Sequence, residues 1–209
     1  MASVVSSPEQ LVILNRVTWD TYERLIAEQG EKGGMRFTYD EGVLEIMVLS
    51  SRHEEPNRTL ALIVEVVAAE LEIEVRRLGS TTFKRKDLHK GFEPDSCFYV
   101  QHADDVRGKV EINLGIDPPP DLSIEVDITR DSLDRFPIFA AVGIPEVWRF
   151  DGSKVAIFLL ISGEYVEATN SLAFKSVTGE ILTRFLEDSL KLKSPAWLRT
   201  VQEWARSQG

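Results

Sequence analysis

The 209-residue chain is predicted to fold as an α/β (α+β) domain, a mixed central β-sheet flanked by helices, with further helices at its C-terminus. Three observations predict this. Strand-like and helix-like hydrophobic periods alternate along the chain instead of segregating into separate halves. Hydrophobic residues make up 43% and charged residues 28%, ordinary globular values that exclude a disordered chain. A length of 209 residues favours one domain over 1–209 and buries enough surface to need no disulfide or metal staple.

The first ten residues are small and polar and are read as a loose tail. Thr18 can cap a helix to Gln29, because Trp19, Tyr22, Leu25 and Ile26 recur at three-to-four spacing. Gly30, Gly33 and Gly34 end it. Met35–Tyr39 and Val43–Leu49 read as strands joined by a turn at Asp40-Glu41-Gly42. The longest helix runs to Leu71 on the stripe Leu60, Ile63, Val64, Val67, Ala68. Its start has two solutions. Ser51 to Glu54 reads as a capping box, but Pro56 then sits where the helix needs a donor. A start near Glu55, with Pro56 first in the helix, avoids that cost.

Glu74–Leu78, Thr81–Lys86 and Ser96–Val100 read as strands. A polar loop and Pro118-Pro119-Pro120 lead into a strand over Asp121–Ile128. A helix over Asp131–Val142 is closed by Gly143 and Pro145. Glu146–Phe150 and Val155–Leu160 form a hairpin, followed by a short strand near Tyr165. Residues 178–209 are helical: Ile181, Leu182, Phe185, Leu186 and Leu190 share one face. Ser194 then caps a second helix with Pro195 first, lined by Leu198, Val201, Trp204 and Ala205.

Composition excludes several classes of function. The longest strongly apolar run, Val155–Ile161, is seven residues, too short to span a bilayer. The N-terminus lacks the basic and apolar regions of a secretion signal, and a lone cysteine, Cys97, suits a reducing cytoplasm. A net charge of −10 argues against a uniformly basic nucleic-acid binder. A local strip remains: Arg76, Arg77, Lys84, Arg85, Lys86 and Lys90 share a stretch whose only acid is Asp87. It is either a solvated edge hairpin or a phosphate-contacting surface.

The most informative segment is Leu122–Ile128, which alternates strictly. Leu122, Ile124, Val126 and Ile128 face one way; Ser123, Glu125 and Asp127 face the other. Two carboxylates at i and i+2 lie roughly 6–7 Å apart on such a face. If buried, they need a compensating cation, a basic partner or water. Asp95, after Pro94, opens the preceding strand about thirty residues earlier. Neighbouring strands can bring Asp95 and Glu125 together. Hard cations such as magnesium or manganese take oxygen ligands from such a pair, from waters and from a phosphate. Such an ion lowers the pKa of coordinated water and offsets phosphate charge.

This combination resembles the PD-(D/E)XK nuclease superfamily and, more closely, the bacterial Uma (type two) family of endonucleases. The resemblance spans about residues 18 to 160. It is carried by Gly42–Met47, by Ser50, Ser51, His53 and Glu54 before a helix, and by Pro94–Val100. Pro119–Leu122 leading to Glu125-Val126, Ser132–Arg135 and Gly143–Trp148 complete it. The resemblance implies a restriction-endonuclease-like fold and an endonuclease that hydrolyses DNA with Mg2+ or Mn2+. It implies Asp95 and Glu125 as metal-binding acids, with Asp127 completing the cluster or holding a second ion. Glu54 is either a further acid of the site or a first-turn helix residue, and Glu45 is a weaker candidate for the same cleft.

The chain departs from the superfamily pattern at its lysine, since Asp127 stands where Glu-x-Lys ends. The family resemblance points to the following helix, where Arg135 is the counterpart. Arginine stays charged and is no general base, but it can orient a phosphate. Lys84 and Lys86, taken as sharing a strand face, are the alternative, with Arg85 between them in a nucleic-acid-binding strip. Arg135 has its own bland alternative, a surface ion pair with Asp131 or Asp134. His53, His89 and His102 lack zinc spacing and read as surface or capping residues. Cys97 reads as a small buried residue, and the four tryptophans as core or interface fillers. A homodimer through the C-terminal helices is compatible with duplex cutting. The competing expectation is a catalytically inactive module of the same fold, binding nucleic acid or protein. The lysine departure and the acidic charge favour it.

Overall fold

The structure is a computed structural model that describes residues 10–30, 34–48, 50–128 and 132–209. Most of the expected loose tail, with Gly33, Leu49 and Asp131, lies outside the described residues. The strands divide between two sheets instead of forming a single central one. The first sheet contains β1 (Gln10–Leu14), β2 (Met35–Asp40), β3 (Val43–Val48), β5 (Phe83–Arg85) and β6 (Lys90–Phe92), in the order β1-β3-β2-β6-β5. The second contains β4 (Arg76–Arg77), β7 (Ser96–Tyr99), β8 (Leu122–Val126), β9 (Glu146–Phe150), β10 (Val155–Ile161) and β11 (Glu164–Ala168), in the order β11-β10-β9-β8-β7-β4. β1 and β6 are not among the expected strands. Among the described residues, β8 and β9 are the parallel pair, joined through helix α3 (Phe136–Val142).

Alternation along the strands sorts the two layers. Phe37, Tyr39 and Leu44 bury one face of the first sheet against Trp19 and Tyr22 of helix α1 (Trp19–Gln29), which Thr18 caps as expected. Gly91 lies under Tyr22, and a Cβ there would stand 2.0 Å from the phenol oxygen. Only glycine allows β6 to pass beneath that ring. Arg36, Thr38 and Glu45 occupy the opposite face of this sheet.

The second sheet is covered on both sides. Phe98, Leu122, Ile124, Trp148 and Ile157 pack against α2 (Ser51–Glu70), α4 (Gly179–Lys191) and α5 (Ser194–Arg206). Cys97 and Val147, on the other face, join Ile138 and Phe139 of α3 and Phe83 and Phe92 of the first sheet in a second cluster. Both faces of β8 are therefore buried, and Ser123 and Glu125 point into the layer between the sheets.

Helix α2 begins at Ser51, not near Glu55, so Pro56 lies inside it. The amides of His53 and Glu54 donate to the Ser50 carbonyl at 3.1 and 3.0 Å and start the first turn. The reason is polar packing. This turn sets His53 and Asn57, four residues apart on one helix face, against Asp95 and Ser96. The contacts outweigh the cost of the misplaced proline. Helix α3 is shorter than the expected Asp131–Val142, and the segment before it is held by other partners, described below. No helix among the described residues is long and apolar enough to cross a membrane.

Candidate active site between the two sheets

Asp95 lies in the short connection by which the chain leaves β6 of the first sheet and enters β7 of the second. β7 pairs with β8, Ser96 opposite Ile124, which brings Asp95 to the C-terminal end of β8. There its Oδ2 accepts the Val126 amide at 2.6 Å and lies 3.2 Å from Nε2 of His53. Arg36, from β2, forms an ion pair with Oδ1. The Asp95 carbonyl accepts from Asn57 Nδ2 at 3.2 Å. The oxygens of this buried residue thus face groups from three elements, β2, α2 and β8.

Glu125 is buried beside it. Its carboxylate pairs with Arg135 and accepts from the Ser123 hydroxyl at 3.3 Å. Arg135 also approaches Glu45 of β3 at 3.4 Å and Asp95 Oδ1 at 3.9 Å. Glu45 holds the backbone as well, accepting the Leu133 amide at 2.5 Å. These contacts explain the late start of α3: Leu133 and Arg135 are committed to the carboxylates before helical geometry begins at Phe136. Arg135 makes no surface ion pair with Asp134, whose carboxylate instead accepts the Phe136 amide at 3.1 Å.

Burial pushes the Glu125 carboxyl above its ordinary range, against the pull of Arg135 and Arg36. Burial opposes the charge on Arg135 too, but Glu125 and Glu45 outweigh it and its pKa rises. Arg36 goes the other way, lowered by desolvation despite Glu125. The innermost charges are three carboxylates, Glu45, Asp95 and Glu125, against two guanidinium groups, Arg36 and Arg135. The carboxylates outnumber the guanidinium groups by one.

The remaining predicted residues are distributed around this cluster. Asp127 lies past the end of β8, is exposed, and accepts from Ser132 Oγ at 3.3 Å, so it does not continue the buried face of Glu125. Glu54 is half exposed and stands 3.9 Å from Arg36 at the rim. Lys84 belongs to β5 and lies on the α1 face of the first sheet, 3.9 Å from Glu23, opposite to the face that bears Arg36 and Glu45. Lys86 does not share its strand face, because residues 86–88 turn into a 3-10 helix. Arg85 is bidentate to Asp87.

Sequence reasoning missed Arg36, His53 and Asn57. His53 is not a surface or capping residue but is buried on Asp95. A signal existed: Arg36 alternates onto the same strand face as Thr38, and His53 and Asn57 stand one helical turn apart. Cys97 is fully buried, and burial drives its thiol pKa upward, so it is no nucleophile. Among the described residues, no group of three or more His, Cys, Asp or Glu side chains has the spacing of a metal site.

A cavity of about 610 Å3 opens beside Glu125 and Arg135, walled also by Arg52, Asp127 and Arg149. Arg149 is held 4.7 and 4.8 Å from the ring centres of Phe136 and Phe158. A second cavity, about 870 Å3, is lined by Arg36, Glu54 and Glu93. Glu125 stands at the carboxyl end of the parallel pair β8 and β9, where open α/β sheets place their ligands.

Among the described residues, two sheets flanked by five helices gather acids at the carboxyl end of an inner strand. Residues 19–191 match the Uma2 family model, described as a putative restriction endonuclease, and the chain belongs to that family. A solved structure of a putative nuclease belonging to DUF820, from Anabaena variabilis, superimposes with a TM-score of 0.53 at 14% identity. That likeness covers 81% of this chain and 99% of the other, and it concerns the fold. None of the curated proteins compared matches the chain.

Proposed function

We propose that the protein is a metal-dependent endonuclease that hydrolyses DNA phosphodiester bonds, using Mg2+ or Mn2+ at Asp95 and Glu125. The observation that carries this is the approach of the Asp95 carboxylate, just before β7, and the Glu125 carboxylate, on β8, to one guanidinium group. The donor set suits a hard cation, which needs only one or two carboxylates when waters and substrate supply its other oxygens. When bound, the cation supplies Lewis acidity toward water and phosphate.

Charge supports joint binding. The cluster holds one carboxylate more than it holds guanidinium groups, so a dication overcompensates that excess and a bound phosphodiester offsets the remainder. Metal and substrate are each incomplete compensation alone. Arg135 holds Glu125 in position and faces the charge that develops on the phosphate, without accepting a proton. Arg36 and His53 fix Asp95. Asp127 and Glu54, at the rims, contact the outer coordination sphere or flanking phosphates. Lys84, Arg85 and Lys86 lie on another face and contact only nucleic acid that extends beyond the cleft.

The alternative is a non-catalytic module of the same fold, favoured by the guanidinium groups that already neutralise much of the acid cluster. Nicking of plasmid DNA, measured with and without Mg2+ or Mn2+, separates the two. The nuclease reading expects metal-dependent nicking by wild type and none by Asp95→Ala or Glu125→Ala. Calorimetric binding of Mn2+ in the presence of a DNA duplex should vanish in the same variants. Cleavage that survives the double variant sinks the assignment, and DNA binding without cleavage at any metal concentration favours the module.

A further inference from the structure

We infer that the site takes a strand with an unpaired base, which it seats in an apolar groove adjoining the carboxylate cavity. This rests on the nuclease reading and adds the form of its substrate. The groove has a volume of about 270 Å3 and shares Arg52 and Ile128 with the cavity beside Glu125. In the parallel pair, Glu125 stands opposite Arg149 and Val126 opposite Phe150. Successive residues point to opposite faces, so the cavity opens from one side of the sheet end and the groove from the other. A nucleotide chain crossing the ends of β8 and β9 presents a phosphate to Glu125 and Arg135 and the neighbouring base to Phe150. The groove is smaller than the roughly 300–1,000 Å3 of ordinary ligand sites and takes one ring system, not a base pair.

Pro56, Phe150 and Leu190 give the groove its apolar lining, with Arg52, Glu55 and Glu187 as its charged members. The apolar stripe of α4 overruns the core: Leu186 is buried, but Leu190, one turn on, is 74% exposed at the groove wall. An apolar ring between Pro56, Phe150 and Leu190 covers that exposed face. Free nucleotides share this chemistry, but the continuity with the phosphate-side cavity favours a strand.

The test is fluorescence anisotropy of the whole protein, with Ca2+ as an oxygen-seeking cation in place of Mg2+, on a short labelled single strand, the matching duplex, and a base-free sugar–phosphate strand. Wild type should hold the natural single strand about tenfold or more tighter than the base-free one, the scale of stacking one base on an aromatic ring. It should also prefer it over the duplex. Leu190→Glu, at an exposed position, should erase the difference between natural and base-free strands. Pro56→Ala restores the helical donor, so it should raise the melting temperature while weakening single-strand binding. Equal affinity of wild type for natural and base-free strands overturns the proposal. So does an undiminished difference in Leu190→Glu, or displacement of the strand by dAMP at equal concentration. If wild type binds neither strand nor duplex, the nuclease reading fails, which is distinct from binding without base dependence.

Discussion

Removing Arg135 should expose how much of the fold depends on its charge. Arg135→Ala leaves Glu125 and Glu45 buried without their guanidinium partner and takes a cation from the neighbourhood of Asp95. Deleting one partner of a buried ion pair costs ~3–5 kcal/mol, because the remaining charge stays desolvated. That is a large part of a typical stability of ~5–15 kcal/mol. For a chain of this size it lowers Tm by on the order of 6–20 °C. The loss should depend on pH. Burial already raises the Glu125 pKa above its unfolded value, and Arg135 is the largest influence holding it down. Without Arg135 the folded pKa rises further. The folded state then binds more protons than the unfolded state above the unfolded pKa, so stability falls as pH rises from there to the folded pKa. Urea melts in EDTA should therefore show the full deficit near neutrality and a smaller one as pH approaches the ordinary carboxylate range. A deficit under ~1 kcal/mol at neutral pH, or one unchanged by acidification, would refute the reasoning.

Arg135→Lys keeps the charge but loses the planar fork, so it should retain metal-dependent nicking while losing part of the stability; plasmid assays and thermal melts check both. Gly91→Ala should destabilise by ~1–3 kcal/mol, because its methyl would meet the buried Tyr22 ring; a thermal melt reads this directly. Glu146 is buried and accepts from Trp148 Nε1 at 2.6 Å and from the amides of Leu172 and Ala173 at 3.0 and 2.8 Å. Glu146→Ala strands those donors and should cost ~3 kcal/mol or more, with near-ultraviolet circular dichroism reporting the loosened Trp148. Lys84→Gln should change stability by less than ~0.5 kcal/mol, since its pair with Glu23 is solvated.

The strands and helices with clean periodicity were legible in the sequence. Val155–Ile161, the two C-terminal amphipathic helices and the alternation of Leu122–Val126 follow their patterns, except that Ser194 is the first residue of α5 and not its cap, a place taken by Lys193 without a side-chain hydrogen bond. The neighbouring strands that join Asp95 to Glu125 were also legible, because a proline-led strand and a strictly alternating one bracketed a single loop. What escaped was set by long-range polar contacts. The three-residue strand Lys90–Phe92 is too short to show a period. Helix α2 starts early because His53 and Asn57 meet Asp95 and Ser96, partners 38 to 39 residues away for Asn57. The division into two sheets depends on the turn at Glu93–Asp95, which local pattern does not reveal. Arg36 was hidden for the same reason: a single arginine in a strand looks solvated until its partner is known.

The distance along the chain between the parts of the site has a consequence for synthesis. Glu45 and Arg135 are 90 residues apart, and Glu45 and Leu133 are 88 apart. Contacts of such separation close late, after the entropy of the intervening loop has been lost. A nascent chain that has emerged through β7 already contains Asp95 but not Glu125 or Arg135. Its first sheet can form while the acid–arginine cluster does not yet exist. That cluster is completed only when nearly two thirds of the chain has been made.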